Sequence, residues 1–298
     1  MTAHPKPRNW NFYSKYTYYV PGVADMFILL AWLLLGAVIG NVISVIFTLA
    51  MGTEAVDYAM VVAYPVMFIP AMIYAGHKSQ VNAMASKGVK LDSNHFSPVG
   101  AAVCALIVVA ATIAGSFCSD ALTELLPSMP EWLEQMMSSM TNGNLILNFL
   151  CVSIFAPIFE EWLCRGMVLR GLLNRGINPA GAIIISAVFF AVIHANPWQA
   201  VPAFILGCLF GYVYYKTGSI KLTMLMHFAN NTMALVLSNV DALEDMDSWH
   251  ELLPGTAYWI VFTAGLIVIA LSILALKKIP LQSEKGNSDI VPAIFDGE

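Results

Sequence analysis

The chain has 298 residues, of which 58% are apolar and 11% charged, with a formal net charge of -5. Soluble domains are roughly 25% charged, so a globule of this composition would lack the charges to cover its surface. High hydrophobicity argues against disorder, and the acidic balance without a dense basic stripe argues against nucleic-acid binding.

The apolar residues fall in uninterrupted runs of about 20, the length that crosses about 30 Å of hydrocarbon as a helix. Eight such runs predict an all-α polytopic membrane protein: 25–50, 58–76, 99–118, 145–170, 179–197, 199–215, 219–238 and 256–276. Residues 1–24 are polar and aromatic, and Trp10, Phe12, Tyr13, Tyr16, Tyr18 and Tyr19 read as an interfacial anchor. The first run is too long for a signal-peptide core and no A-x-A-like site follows it, so cleavage is not expected. Gly36-x-x-x-Gly40 and Gly207-x-x-x-Gly211 suit close helix approach. Ser128-Met-Pro-Glu131 is a capping box, followed by Trp132, Leu133, Met136, Met137 and Met140 on one face, which predicts a short helix on the outer interface or packed within the loop. Residues 279–298 read as a polar tail, and no repeat or linker divides 25–278 into separate domains. Cys104, Cys118, Cys151, Cys164 and Cys208 form no C-x-x-C pair and read as packing thiols.

Lys and Arg are retained on the cytoplasmic side of membranes. Lys6, Arg8 and Lys15 precede the first run; Lys78, Lys87 and Lys90 follow the second; Arg170 and Arg175 follow the fourth. Lys216 and Lys221 flank the turn after the sixth, and Lys277, Lys278 and Lys285 follow the eighth. All but one of the 14 basic residues therefore fit eight spans with both termini inside, and the opposite connections lack Lys and Arg and are acidic instead. Arg165 is the exception.

A charge in the bilayer interior costs about 2.5 to 3.5 kcal/mol on insertion scales, so each calls for a reason. Within the runs stand Glu160, Glu161 and Arg165 in the fourth, His194 in the fifth and His227 in the seventh, with Asn230 and Asn231 as the strongest uncharged polar pair. On a helix Glu161 and Arg165 share a face at i, i+4, whereas Glu160 is turned about 100° from Glu161. Arg165 can neutralise Glu161 as a structural pair, while Glu160 is left without a cation on its own helix. A carboxylate in that situation can serve as a base near neutral pH. Pro157 predicts a kink beside these residues. Phe190 and His194, like His227 and Asn231, are spaced i, i+4, so three converging helices would enclose a carboxylate, two imidazoles and a carboxamide.

These residues read in order as E-E-x-x-x-R (Glu160, Glu161, Arg165), F-x-x-x-H (Phe190, His194) and H-x-x-x-N (His227, Asn231). This resembles the CPBP group, the CAAX proteases and bacteriocin-processing enzymes also called the Abi family, which includes the type II CAAX prenyl endopeptidases. The resemblance covers about 154–239. It implies an intramembrane endopeptidase in which Glu160 works with His194 to activate water, and His227 with Asn231 forms an oxyanion hole. Glu161, Arg165 and Phe190 would support them. Substrates implied are membrane-associated proteins or peptides of CAAX or bacteriocin-precursor type, at a bacterial cytoplasmic membrane.

Zinc or another divalent ion on Glu160, His194 and His227 is the metal-dependent alternative, but no H-E-x-x-H pair is present and a metal-independent glutamate mechanism is favoured. Rival readings are a proton-coupled transporter, disfavoured by the lack of repeats, and a non-catalytic peptide-binding immunity protein. Glu160 lies about 15 residues, roughly 22 Å of helix, before Arg175, while His227 is about 8 residues into its run. Their meeting requires tilted helices or a fourth helix that overshoots, and it predicts a site toward the cytoplasmic half.

Overall fold

The computed structural model describes residues 12–52, 55–85, 88–139, 143–240, 248–253 and 255–281. The described residues are helical or irregular, and each expected apolar run contains a helix, the fifth stopping at Val192 rather than reaching 197. In chain order these are α1 (Val23–Met51), α2 (Val56–Asn82), α3 (Ala101–Thr123), α4 (Glu131–Ser139), α5 (Leu145–Asn174), α6 (Pro179–Val192), α7 (Pro197–Thr217), α8 (Ile220–Leu237), α9 (Trp249–Leu252) and α10 (Thr256–Lys277). Five of them, α1, α2, α3, α5 and α10, are long and apolar enough to cross a membrane, so this is an integral membrane protein. The 14 residues of α6 reach only about 21 Å. α7 carries Lys216, and α8 carries His227, Asn230 and Asn231.

α5 is the axis of the fold, with residues 161–173 all buried. Two π-helical stretches, Phe149–Phe155 and Trp162–Leu169, interrupt it and flank an α-helical stretch, Ala156–Glu161. Pro157 sits at the start of that stretch, so the expected distortion takes the form of altered winding where a residue without an N–H must be accommodated. α2 packs on the first π-helical stretch, α6 on the second, and α8 on both. α3 contacts α7, α8 and α10, while α1 packs on α2.

Both glycine pairs serve contacts within the chain. A Cβ on Gly36 would collide with the Met67 carbonyl oxygen, and one on Gly40 would lie 2.9 Å from that of Ala63, so α1 lies against the α2 backbone. Gly207 faces Ala187, and Gly211 faces Ile183, on α6.

The short connections follow from local chemistry. Asn178 and Asn196 accept backbone N–H groups of Gly181 and Gln199, with Pro179 and Pro197 opening the helices. Gly218, at φ 60°, ends α7 in the left-handed region, and Ser219 then caps α8.

The segment after residue 11 departs from a simple surface anchor. Phe12–Tyr16 is a short 3-10 helix in which Phe12 is exposed, but Tyr16 and Tyr19 are buried, and Tyr16 packs edge-on against Trp162. Burial pushes the hydroxyls of Tyr13 and Tyr16 up to about 12, so both stay neutral. The cause of this docking is Arg170. It is fully buried and donates to the carbonyls of Gly166 (2.6 Å), Val89 (2.7 Å), Tyr19 (2.5 Å) and Tyr16 (3.5 Å). A buried guanidinium needs acceptors, and these backbone segments supply them. Trp10 lies outside the described residues.

In α4 Leu133 is buried whereas Trp132 and Met136 are exposed; Met140 lies outside the described residues. At the far side of the fold, His250 Nδ1 lies 2.7 Å from a Glu124 carboxylate oxygen and its ring stacks on Tyr258, tying α9 to α3 and α10. The described cysteines are free thiols, as packing roles require.

Candidate active site

Glu160 and Glu161 close the α-helical stretch of α5 and point different ways. Glu161 is fully buried and receives Arg165 Nη1 at 2.8 Å, the i, i+4 pair expected from spacing. Arg165 is itself fully buried. Its Nη2 donates to the Gly207 carbonyl at 3.0 Å, and its guanidinium carbon stands 4.6 Å over the Phe190 ring and 5.2 Å over the Phe210 ring. A cation excluded from water is thus met by a carboxylate, a carbonyl and two aromatic faces.

Glu161 does more than neutralise Arg165. Its Oε1 also lies 3.1 Å from Nδ1 of His227 on α8. A carboxylate only accepts, so the Nδ1–H donates and Nε2 is turned the other way. Nε2 lies 3.9 Å from Oε2 of Glu160, too far for a direct hydrogen bond and close enough for a bridging water. Oε2 is buried without a hydrogen-bond partner. The other oxygen, Oε1, accepts the hydroxyl of Tyr64 on α2.

The remaining expected residues gather around this group. Phe190 is buried between the imidazoles of His194, 4.9 Å away edge-on, and His227, 5.5 Å away edge-on. His194 lies beyond the end of α6, in a turn where Ala195 adopts φ 58°. That left-handed conformation is uncommon for a non-glycine residue and tends to mark functional sites. Nδ1 of His194 is 2.7 Å from the Phe190 carbonyl, which makes it the donor and leaves the lone pair on Nε2. Asn231 donates one amide N–H to the Val152 carbonyl in the first π-helical stretch at 2.8 Å, and its oxygen accepts from Asn230 at 3.0 Å. Its second N–H is left for another acceptor.

Glu160 and His227 meet although they stand at different places along their helices. α5 continues 14 residues beyond Glu160, whereas α8 begins only seven residues before His227. The surplus of α5 carries Arg170 and is enclosed by the backbone of Tyr16, Tyr19 and Val89.

Residues 142–233 match the family model described as Type II CAAX prenyl endopeptidase Rce1-like. This segment is similar to that family of endopeptidases. The chain is also 28% identical over 104 residues to the UPF0177 protein YxdF of Lactococcus lactis subsp. lactis (strain IL1403), an alignment that covers 35% of this chain and 54% of that protein. The chain thus spans about half the length of that curated relative. No solved structure matches significantly.

The matched segment contains all three motifs but not the whole of the site. Tyr64 lies on α2, outside 142–233. Sequence reasoning passed over it because a lone tyrosine in an apolar run resembles packing. Its position eight residues into α2, away from an interfacial belt, was the available signal. The role of Glu161 toward His227 was missed as well, since it depends on a contact between helices. The donors do not fit a three-ligand metal site: among the described residues, no three His, Cys, Asp or Glu side chains are grouped to hold one ion.

Proposed function

We propose that this chain is an intramembrane endopeptidase hydrolysing a peptide bond of a membrane-associated protein or peptide, of CAAX or bacteriocin-precursor type. The observation that carries this reading is the arrangement of Glu160 Oε2, unpartnered and 3.9 Å from His227 Nε2, with Glu161 holding the far side of that imidazole. In this mechanism Glu160 takes a proton from a water bound between the two groups, and the resulting hydroxide attacks the scissile carbonyl. His194, with its lone pair on Nε2, assists water activation from the second motif. Protonated His227 and the free N–H of Asn231 stabilise the oxyanion, and Glu161 balances the imidazolium charge. Glu160 then returns the proton to the leaving amine, and the carbon–nitrogen bond breaks. No step requires a metal. Eight membrane-crossing or membrane-embedded helices with both termini in the cytoplasm complete the reading, which the distribution of Lys and Arg supports.

The test uses the full-length protein in liposomes with two fluorogenic substrates, a prenylated CAAX peptide and an unprenylated hydrophobic precursor peptide. Mass spectrometry of membrane peptides from cells carrying wild type or Glu160→Gln runs beside it. Cleavage by the wild type, lost in Glu160→Gln with the fold retained, is the expected result. Identical peptide inventories together with no cleavage of either substrate would reject the enzyme and leave a binding or transport role.

A further inference from the structure

The hydroxyl of Tyr64 donates to Oε1 of Glu160, while Oε2 of the same carboxylate is buried, unpartnered and directed at His227. A carboxylate with neither oxygen held would exchange the two by rotation about its terminal bond. One donor fixed on one oxygen removes that freedom. A phenol is protonated near neutral pH, so toward a carboxylate it acts as a donor and does not compete for the proton of the water.

The surrounding helices aim this hydroxyl. Phe68, one turn on from Tyr64, is fully buried and stacks on Phe159 of α5 at 5.3 Å, which registers α2 against the residue preceding Glu160. On its other side α2 is approached closely by α1, where Gly36 faces the Met67 carbonyl and Gly40 the Ala63 carbonyl. Pro65, immediately after Tyr64, removes one helix hydrogen bond at this point. The packing of α2 is therefore supplied by Phe68 and by the glycine face of α1. The Tyr64 hydroxyl adds a directed contact that this packing does not need.

We propose that Tyr64 is the positioning residue of the hydrolytic base: by holding Oε1 of Glu160 it presents Oε2 to the attacking water, so that α2 is part of the catalytic unit although it lies outside the Rce1-like segment. The role rests on the endopeptidase reading above.

Two readouts separate the failure of one from the failure of the other. The first is infrared spectroscopy of the full-length protein in liposomes, with the Glu160 carboxylate band assigned as the difference between wild type and Glu160→Gln. Tyr64→Phe keeps the ring and removes the donor, and it shifts this band; Ile73→Ala, at an exposed position on the same helix, leaves it in place. The second is cleavage kinetics on whichever substrate the wild type cuts. Tyr64→Phe lowers kcat about 10- to 100-fold, the size expected for one hydrogen bond to a charged group, with KM within about 2-fold. A band unmoved in Tyr64→Phe overturns the proposal whether or not the protein is a protease. A shifted band with unchanged kcat overturns it too, reducing the contact to structure. A wild type that cleaves nothing rejects the enzyme and with it the hydrolytic role, while the band still reports whether the contact forms.

Discussion

Glu161 and His227 are joined across two helices: the carboxylate Oε1 lies 3.1 Å from Nδ1 of the imidazole and takes Arg165 at 2.8 Å on the same oxygen. The arrangement fixes which imidazole nitrogen faces the helix core and which faces Glu160. It also makes the stability of the ion pair and the orientation of the candidate imidazole one problem.

Replacing Glu161 by Gln tests the orienting role. The amide is uncharged and can donate as well as accept, so the imidazolium loses its counter-charge and its Nδ1–H loses a fixed acceptor. We expect kcat to fall by about 10²- to 10⁴-fold, as for other orienting carboxylates, with KM little changed. Equal kcat in the Gln variant would show that His227 needs no carboxylate behind it.

Removing one partner of the buried pair tests its energetics. Glu161→Ala leaves Arg165 charged and fully enclosed, which costs about 3 to 5 kcal/mol. The double variant Glu161→Leu/Arg165→Met removes both charges and recovers most of that stability while remaining inactive. Denaturant titration of the protein in detergent measures the first effect, and the cleavage assay the second. Active double variants would remove Glu161 from the mechanism.

Chelation tests metal independence. Cleavage persists after dialysis against EDTA and 1,10-phenanthroline, because the proposed nucleophile is water activated by Glu160. Activity lost on chelation and restored by added zinc would replace this mechanism with a metal-dependent one on Glu160, His194 and His227.

Arg170→Met tests the pin at the C-terminal end of α5. It keeps the apolar stem but strands the carbonyls of Gly166, Val89 and Tyr19, at a cost of about 1 to 3 kcal/mol for each that stays buried without a donor. Hydrogen exchange should accelerate at residues 12–22 and 88–95 before it does so in α8. Unchanged exchange there would mean that the tyrosines alone hold the segment.

Much of the local chemistry was legible without a structure. The helical runs, the i, i+4 pairing of Glu161 with Arg165 and the divergence of Glu160 all follow from a fixed turn per residue. Arg170, counted from the sequence only as a topological charge, is in addition a buried donor to backbone carbonyls of separate chain segments. Pattern-based counting weighs a charge only by its place along the chain, and burial depends on what folds over it. The depth puzzle between Glu160 and His227 came from the same limit, because the length of α5 said nothing of the backbone that encloses its end.

What the sequence determined by itself is set by covalent spacing and by the solvent: a helical membrane protein, a cluster of charges too costly to be incidental, and the faces on which neighbours in one helix stand. Only the tertiary structure decided which faces meet. Glu161 bonding to His227, Asn231 to Val152, and Tyr64 to Glu160 each join residues far apart in the chain, and nothing in the period of a single helix encodes its partner. Those pairings arise when glycine notches, aromatic stacks and buried guanidinium groups select one packing among many of similar hydrophobicity, and with that selection the orientation of the candidate base is set.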